Sequence, residues 1–177
     1  GSVATISGAR GRDEVAFVWS SFFYPPALFV YDVRTRKLSE LYRVKSSFDA
    51  STYELIQQSV PSRDGTPVNV YYVQRRGAAK TGDVPVLING YGGFDVSLLP
   101  EFTRSVLFWL ERGGIYAVAN LRGGGEFGET WHRAGMLTNK QHVFEDFESV
   151  IRWFSQSGLS KPSRIAITGG SNGGLLM

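Results

Sequence analysis

Apolar residues in the first third of the chain come in short runs rich in β-branched and aromatic side chains. Val15 to Trp19, Leu28 to Tyr31 and Leu38 to Val44 are such runs, broken by Ser20-Ser21, Pro25-Pro26 and Arg34-Thr35. Three short strands at near-regular spacing predict an antiparallel meander of the kind found in a sandwich or a propeller blade. A sheet of that size cannot bury both of its faces by itself. Two further strands are predicted at Tyr53 to Val60 and Val68 to Gln74, around the turn "SRDGTP". The Asp64-Gly65 step is a hairpin signal, and in the second strand Val68, Val70 and Tyr72 fall on one face.

From Val84 the period changes. "VPVLING" reads as a strand ending in glycine, and Ser105 to Arg112 as a helix closed by Gly113-Gly114. "IYAVANL" is a buried-type strand. In "HVFEDFESVIRWFSQSG" the residues Phe144, Phe147, Ile151 and Phe154 recur at helical spacing, with Gly158 as the stop. "RIAIT" supplies a third strand. Strand, helix, strand, helix, strand predicts an α/β unit with a parallel sheet and right-handed crossovers.

Composition narrows the function classes. With 42% hydrophobic and 14% aromatic residues, the 177 residues suit a globular protein, one domain or parts of two. The net charge of +3 is small and its carriers are scattered. The tightest basic group, Arg34, Arg36 and Lys37, has Asp32 and Glu40 beside it and reads as a solvated turn, which argues against nucleic acid as a partner. The chain has no cysteine, which excludes disulfides, thiolate metal sites and a cysteine nucleophile. No stretch approaches the ~20 apolar residues of a membrane span, so no membrane partner is expected. The compartment stays open, with the cytoplasm favoured over the periplasm.

The chemistry is concentrated near the last residues, in "ITGGSNGGLLM". Gly169-Gly170-Ser171-Asn172-Gly173 fits G-x-S-x-G, directly after a buried strand and before an apolar helix start, the context of a nucleophile elbow. There Ser171 is the candidate nucleophile, and the Asn172 backbone N–H the candidate donor to a forming oxyanion. Two other readings are a glycine-rich turn with a surface serine and a phosphate loop. The phosphate loop lacks the lysine that G-x-x-x-x-G-K-[ST] demands. A second glycine pattern, Gly123-x-Gly125-x-x-Gly128 in "LRGGGEFG", matches the dinucleotide fingerprint. The acids about 20 residues on, Glu145 and Asp146, fall inside a helix instead of at a strand end, and "EFGETWHRAG" has no clear apolar period. A structural loop lining a site is the better reading.

The partners of Ser171 are not apparent. In α/β-hydrolases the order along the chain is Ser, then Asp or Glu, then His. His132 and His142 both precede the serine, so each is expected to be a packed or surface polar residue. Asp146 and Glu148 are expected on the solvated face of their helix. Six residues follow Ser171, and none is an acid or a base, so the triad Asp and His are expected outside this polypeptide.

Three stretches resemble the prolyl oligopeptidase family, and within it the prolyl endopeptidase branch: "NGYGGFDVSLLPEF", "ANLRGGGEFGETWHRAGMLTNKQHVFEDF" and "ITGGSNGGLL". The opening "GSVATISG" and the strands to about residue 48 are similar to that family's last propeller blade. "STYELIQQSVPSRDGTPVNVYYV" is similar to its re-entry into the hydrolase domain. The resemblance implies an α/β-hydrolase, here partial, preceded by a β-propeller blade at 1–48, with the first part of the catalytic domain at 49–177. It implies a serine peptidase acting after proline on short peptides, without cofactor or metal, as a monomer when intact.

Carried over by motif, Ser171 is the nucleophile, and Asn172 gives one oxyanion donor through its backbone. Tyr91 matches the tyrosine whose hydroxyl is the second donor, and Phe94 a wall of the proline pocket. Tyr91 follows a strand in a glycine-rich loop, where hydrolases place their second oxyanion donor; Phe94 alone would read as core. Two other classes remain. Another α/β-hydrolase, whether an esterase or lipase or an oligopeptidase B-like peptidase, would suit the elbow equally well, although the propeller-like strands argue against an esterase. A non-catalytic fragment is expected of these residues by themselves, with no turnover until the rest of the enzyme is present.

Overall fold

The computed structural model describes residues 1–177. They form two compact units, one of residues 1–51 with 99–107 and one of residues 52–98 with 108–177.

The first unit is a four-stranded antiparallel sheet in sequential order: β1 (Ser2–Gly8), β2 (Glu14–Ser20), β3 (Ala27–Asp32) and β4 (Lys37–Arg43). The sequence predicts only the last three. β1 is polar and glycine-flanked, so it has no apolar run to reveal it; pairing with β2 along Gly8↔Val15 and Ile6↔Phe17 makes it a strand. Phe17 and Phe29 stack at 5.5 Å across β2 and β3. Ile6, Leu38, Leu41 and Tyr42 stay largely exposed; the register puts Ile6 and Leu38 on one face and Tyr42 on the other.

In the second unit, β5 (Tyr53–Pro61) and β6 (Pro67–Arg75) form the hairpin. Its turn places Gly65 at φ 84° and closes with the Gly65 N–H donating to the Ser62 carbonyl at 2.9 Å. The hairpin does not stand apart from the α/β elements. The sheet order is β5-β6-β8-β7-β9, with β7 (Val86–Gly90), β8 (Ile115–Asn120) and β9 (Ile165–Thr168) mutually parallel. β6 lies antiparallel to β8. The sheet is therefore mixed: parallel in its βαβ part, as the sequence predicts, and antiparallel where the hairpin joins it.

Helix α1 (Arg104–Glu111) connects β7 to β8. The short α2 (Glu129–Arg133) and the long α3 (Gln141–Gln156) lie between β8 and β9, and α4 (Asn172–Leu176) follows β9. The sequence shows no period for α2, because five residues are too few to display one; Gly128 at φ 79° precedes it.

The core of this unit packs Val68, Val70, Val86, Ile88, Ile115 and Ala117 of the sheet against Val143, Phe147, Val150 and Phe154 of α3. The buried stripe of α3 is thus 143/147/150/154, whereas the sequence reading centres it on 144/147/151/154. That rotation carries Asp146 inward. Asp146 is fully buried, and the expectation of a solvated face holds for Glu148 alone.

Candidate active site

β9 ends at Thr168 and α4 begins at Asn172, so the chain reverses over Gly169, Gly170 and Ser171. Glycine is required at particular points of this turn and not at others. A Cβ on Gly169 would lie 2.5 Å from the Gly173 carbonyl oxygen, and one on Gly173 would lie 2.5 Å from that of Gly90. A Cβ on Gly170 would meet nothing within 4 Å. The first and last glycines of G-x-S-x-G are therefore the positions where strand end and helix touch backbone to backbone. Ser171 between them has φ 54° and ψ −117° and is exposed. A non-glycine residue in such a region stores on the order of 1–3 kcal/mol. Strand, strained serine and helix together form the backbone of a nucleophile elbow. The turn closes with the Gly173 N–H on the Gly170 carbonyl (2.8 Å) and the Gly174 N–H on that of Ser171 (2.9 Å). Asn172, the first residue of α4, has an N–H with no intrahelical acceptor.

A second loop meets the elbow. After β7 the chain runs through Tyr91, Gly92 and Gly93 to Phe94 and Asp95. Phe94 (φ 54°) and Asp95 (φ 57°) are the central residues of a turn closed by the Val96 N–H on the Gly93 carbonyl at 3.1 Å. Two positive φ values match a type I′ turn, and they turn Phe94 outward: it is 75% exposed and not part of the core. The Asp95 N–H donates to the Gly123 carbonyl (3.2 Å), and His132 Nδ1 lies 2.7 Å from the same oxygen. An open cavity of about 480 Å³ is lined by Phe94, Met136 and Leu137, with Asp95, His132, Lys140 and Asn172 as its polar members. Apolar walls with a few polar groups suit an apolar ligand group with polar anchors.

The glycines of "LRGGGEFG" serve this loop. A Cβ on Gly123 would lie 2.8 Å from the Gly92 carbonyl oxygen, and one on Gly125 would lie 2.4 Å from that of Asp95. Their spacing records close backbone approach between two loops, and the site-lining reading fits better than a nucleotide fingerprint.

Neither histidine faces the serine turn through Nδ1. His132 engages the Gly123 carbonyl, and His142 Nδ1 lies 2.9 Å from the Ala134 carbonyl oxygen.

Three features escaped the sequence reading. The first is a buried ion network. Arg122, just after β8, donates to Asp146 through Nε (3.0 Å) and Nη2 (2.6 Å), and to Asp64 of the hairpin turn through Nη1 (2.6 Å). The Ser62 hydroxyl donates to Asp146 at 2.6 Å. Burial works against the Arg122 charge, but the two carboxylates outweigh it and hold its pKa above the ordinary value. The Thr66 N–H, followed by Arg122, holds the Asp64 carboxyl far below the usual carboxylate range. This network joins hairpin, β8 and α3 at the base of the glycine loop.

The second is Glu126, whose Oε1 accepts from the Leu98 N–H (2.9 Å) and from Asn120 (3.0 Å), and whose pKa burial pushes up. The third is the Asn172 side chain, which donates to the Tyr91 carbonyl at 2.5 Å and accepts from Lys140 Nζ at 3.1 Å.

Residues 100–177 match the model of the Prolyl oligopeptidase family. A prolyl endopeptidase of Elizabethkingia meningoseptica is 34% identical over all of this chain and 25% of its own length. Prolyl oligopeptidase ophP of Omphalotus olearius is 39% identical over 97% of this chain and 24% of its own. The chain thus spans about a quarter of the length of these relatives.

Among solved structures, one from a structural and mechanistic study of two prolyl endopeptidases superposes with a TM-score of 0.95. It is 41% identical and covers 99% of this chain and 26% of its own. Prolyl oligopeptidase B of Galerina marginata, a serine-to-alanine variant bound to a 35mer hydrolysis and macrocyclization substrate, superposes at 0.93 with 32% identity, covering 99% and 25%. With relatives 34% and 39% identical along all or nearly all of its length, the chain belongs to the prolyl oligopeptidase family.

Proposed function

We propose that the protein carrying this chain is a serine endopeptidase that cleaves short peptides on the carboxyl side of proline through an acyl-enzyme. The observation that carries the reading is Ser171 itself, exposed at φ 54° on the elbow and next in sequence to an Asn172 that lines the Phe94 cavity. Relatives named prolyl endopeptidase and prolyl oligopeptidase, and family structures bound to peptides, support proline and peptide as the substrate class. Residues 1–48 are read as the last propeller blade and 49–177 as the opening part of the hydrolase domain.

In the reaction a histidine from outside these residues takes the Ser171 proton, and Oγ bonds to the carbonyl carbon of the proline residue. Negative charge moves onto the carbonyl oxygen, where the Asn172 N–H and the Tyr91 hydroxyl donate to it. Collapse of the tetrahedral intermediate breaks the C–N bond, and the amine leaves with the proton. Water then attacks the ester by the same route, releasing the acid and restoring Ser171. Phe94 offers the proline ring an aromatic wall; a ring with no N–H needs apolar contact more than hydrogen bonds.

The test uses the full-length protein. A fluorophosphonate is expected to label the wild type and not Ser171→Ala, and a proline p-nitroanilide to be hydrolysed. Labelling that persists in Ser171→Ala refutes the nucleophile. Hydrolysis confined to simple p-nitrophenyl esters refutes the peptidase in favour of an esterase.

A further inference from the structure

The two proposed oxyanion donors come from loops about 80 residues apart in sequence, and their separation must be held to within about half an ångström to be useful. One set of contacts ties them. Asn172 Nδ2 donates to the Tyr91 carbonyl at 2.5 Å, and its Oδ1 accepts from Lys140 Nζ at 3.1 Å. Lys140 Nζ donates as well to the Gly92 carbonyl at 2.9 Å. The amide orientation is fixed by chemistry, since an ammonium can only donate and a peptide carbonyl can only accept. The approach is close: a Cβ on Gly93 would lie 2.6 Å from Asn172 Nδ2, and one on Gly92 would lie 2.3 Å from Val143.

Lys140 sits in helical conformation (φ −57°) where the 3₁₀ turn Leu137–Asn139 runs into α3, and its side chain leaves both for the Gly92 carbonyl and Asn172. No carboxylate forms an ion pair with it. Burial lowers its pKa, and both of its hydrogen bonds go to the two loops instead of to its own helix, which marks a constraint on those loops.

We propose that Lys140 and the Asn172 carboxamide are positioning residues that lock the Tyr91–Gly93 loop onto the elbow, so that the Tyr91 hydroxyl and the Asn172 N–H act on one oxyanion. This rests on the acyl-transfer reading above. Asn172 thereby has two jobs, its backbone as donor and its side chain as the brace. Lys140 braces from the start of α3, its ammonium committed to the Gly92 carbonyl and Asn172 Oδ1.

The experiment compares Asn172→Ala, Asn172→Asp, Lys140→Met and the Asn172→Ala/Lys140→Met double variant in the full-length enzyme. Asn172→Asp keeps the shape and the Lys140 contact but sets a carboxylate against the Tyr91 carbonyl, and it carries the test if a truncation unfolds. Misplaced oxyanion donors cost the transition state alone, so kcat is expected to fall about 10- to 100-fold with KM within about threefold.

Affinity for a proline aldehyde, which forms a tetrahedral adduct, should fall in step, and affinity for a product peptide should not. Because both side chains act on one loop, the double variant should lie within about threefold of the worse single one. A kcat within about twofold of wild type, a loss borne by KM, or a double variant equal to the product of the singles overturns the proposal. Wild-type turnover of the proline p-nitroanilide tests the underlying reading separately. If the wild type turns over only p-nitrophenyl esters, the proline reading fails and the same variants are read on the ester. A wild type inactive on both substrates overturns the two together.

Discussion

Replacing Asp146 by asparagine removes one charge from the centre of the second unit and leaves Arg122 behind. The side chains of Asp146 and Arg122 are 0% and 4% exposed, so neither can turn to water when its partner is lost. Asp146 accepts from Arg122 Nε and Nη2, from the Arg122 backbone N–H (3.1 Å) and from the Ser62 hydroxyl. Removing one member of a buried pair costs about 3–5 kcal/mol, most of it the stranded charge. Asp64, bonded to Arg122 Nη1 at 2.6 Å, still neutralises part of that charge. The expected loss for Asp146→Asn is therefore at the low end, about 3 kcal/mol.

Urea unfolding of the full-length protein, followed by intrinsic tryptophan fluorescence to which Trp153 on α3 contributes, measures it. Glu148→Gln on the same helix is the comparison: its pair with Arg152 spans 3.3 Å between side chains 62% and 71% exposed. A pair that open contributes at most about 0.5 kcal/mol. The double replacement Arg122→Met/Asp146→Leu should recover a good part of the loss, because two apolar side chains leave no charge stranded. A loss for Asp146→Asn below about 1 kcal/mol, or one equal to that of Glu148→Gln, would refute the argument.

Three further outcomes are expected. Gly173→Ala should destabilise by about 1–3 kcal/mol, against the usual helical gain, because its Cβ would meet the Gly90 carbonyl oxygen at 2.5 Å; Gly174→Ala, with its nearest contact at 4.0 Å, should be neutral or stabilising in the same melts. Phe94→Ala should leave the melting temperature unchanged, since the ring is 75% exposed, yet lower kcat/KM for a proline p-nitroanilide by about tenfold; a change under twofold would remove Phe94 from the pocket. The Asp64 carboxyl is held low in the folded state, so its contribution is present above the unfolded value near pH ~4 and fades as pH falls below it. Asp64→Asn should accordingly flatten the acid side of the stability profile, and an unchanged slope would count against the ion network as the cause.

What could be read from the residues and what could not divides along a physical line. Strands β2 to β9, α1 and α3 announce themselves through period and punctuation, signals carried by residues a few positions apart. The elbow is legible for the same reason: Gly169, Ser171 and Gly173 lie within five residues and the strand before them is apolar. β1 is not legible, since its strand character comes from pairing with β2. Asp146 fails differently. A one-residue rotation of the α3 stripe separates a solvated carboxylate from a buried one, and amphipathic counting cannot resolve a single position when Phe144 and Ile151 are only partly buried. What decides it is Arg122, 24 residues away.

The same limit explains why Lys140 is silent in the sequence: it lies where the 3₁₀ turn Leu137–Asn139 runs into α3 and carries no local signal. Its two acceptors, the Gly92 carbonyl and Asn172 Oδ1, come within reach only when β7, α3 and α4 converge at the ends of the parallel strands. A cation with no carboxylate, drawn to the two loops that would form an oxyanion hole, is difficult to account for as packing. Lys140→Met separates packing from a brace. Packing alone predicts lost stability with kcat intact, whereas a brace predicts lost kcat with stability held or raised by relief of the buried charge.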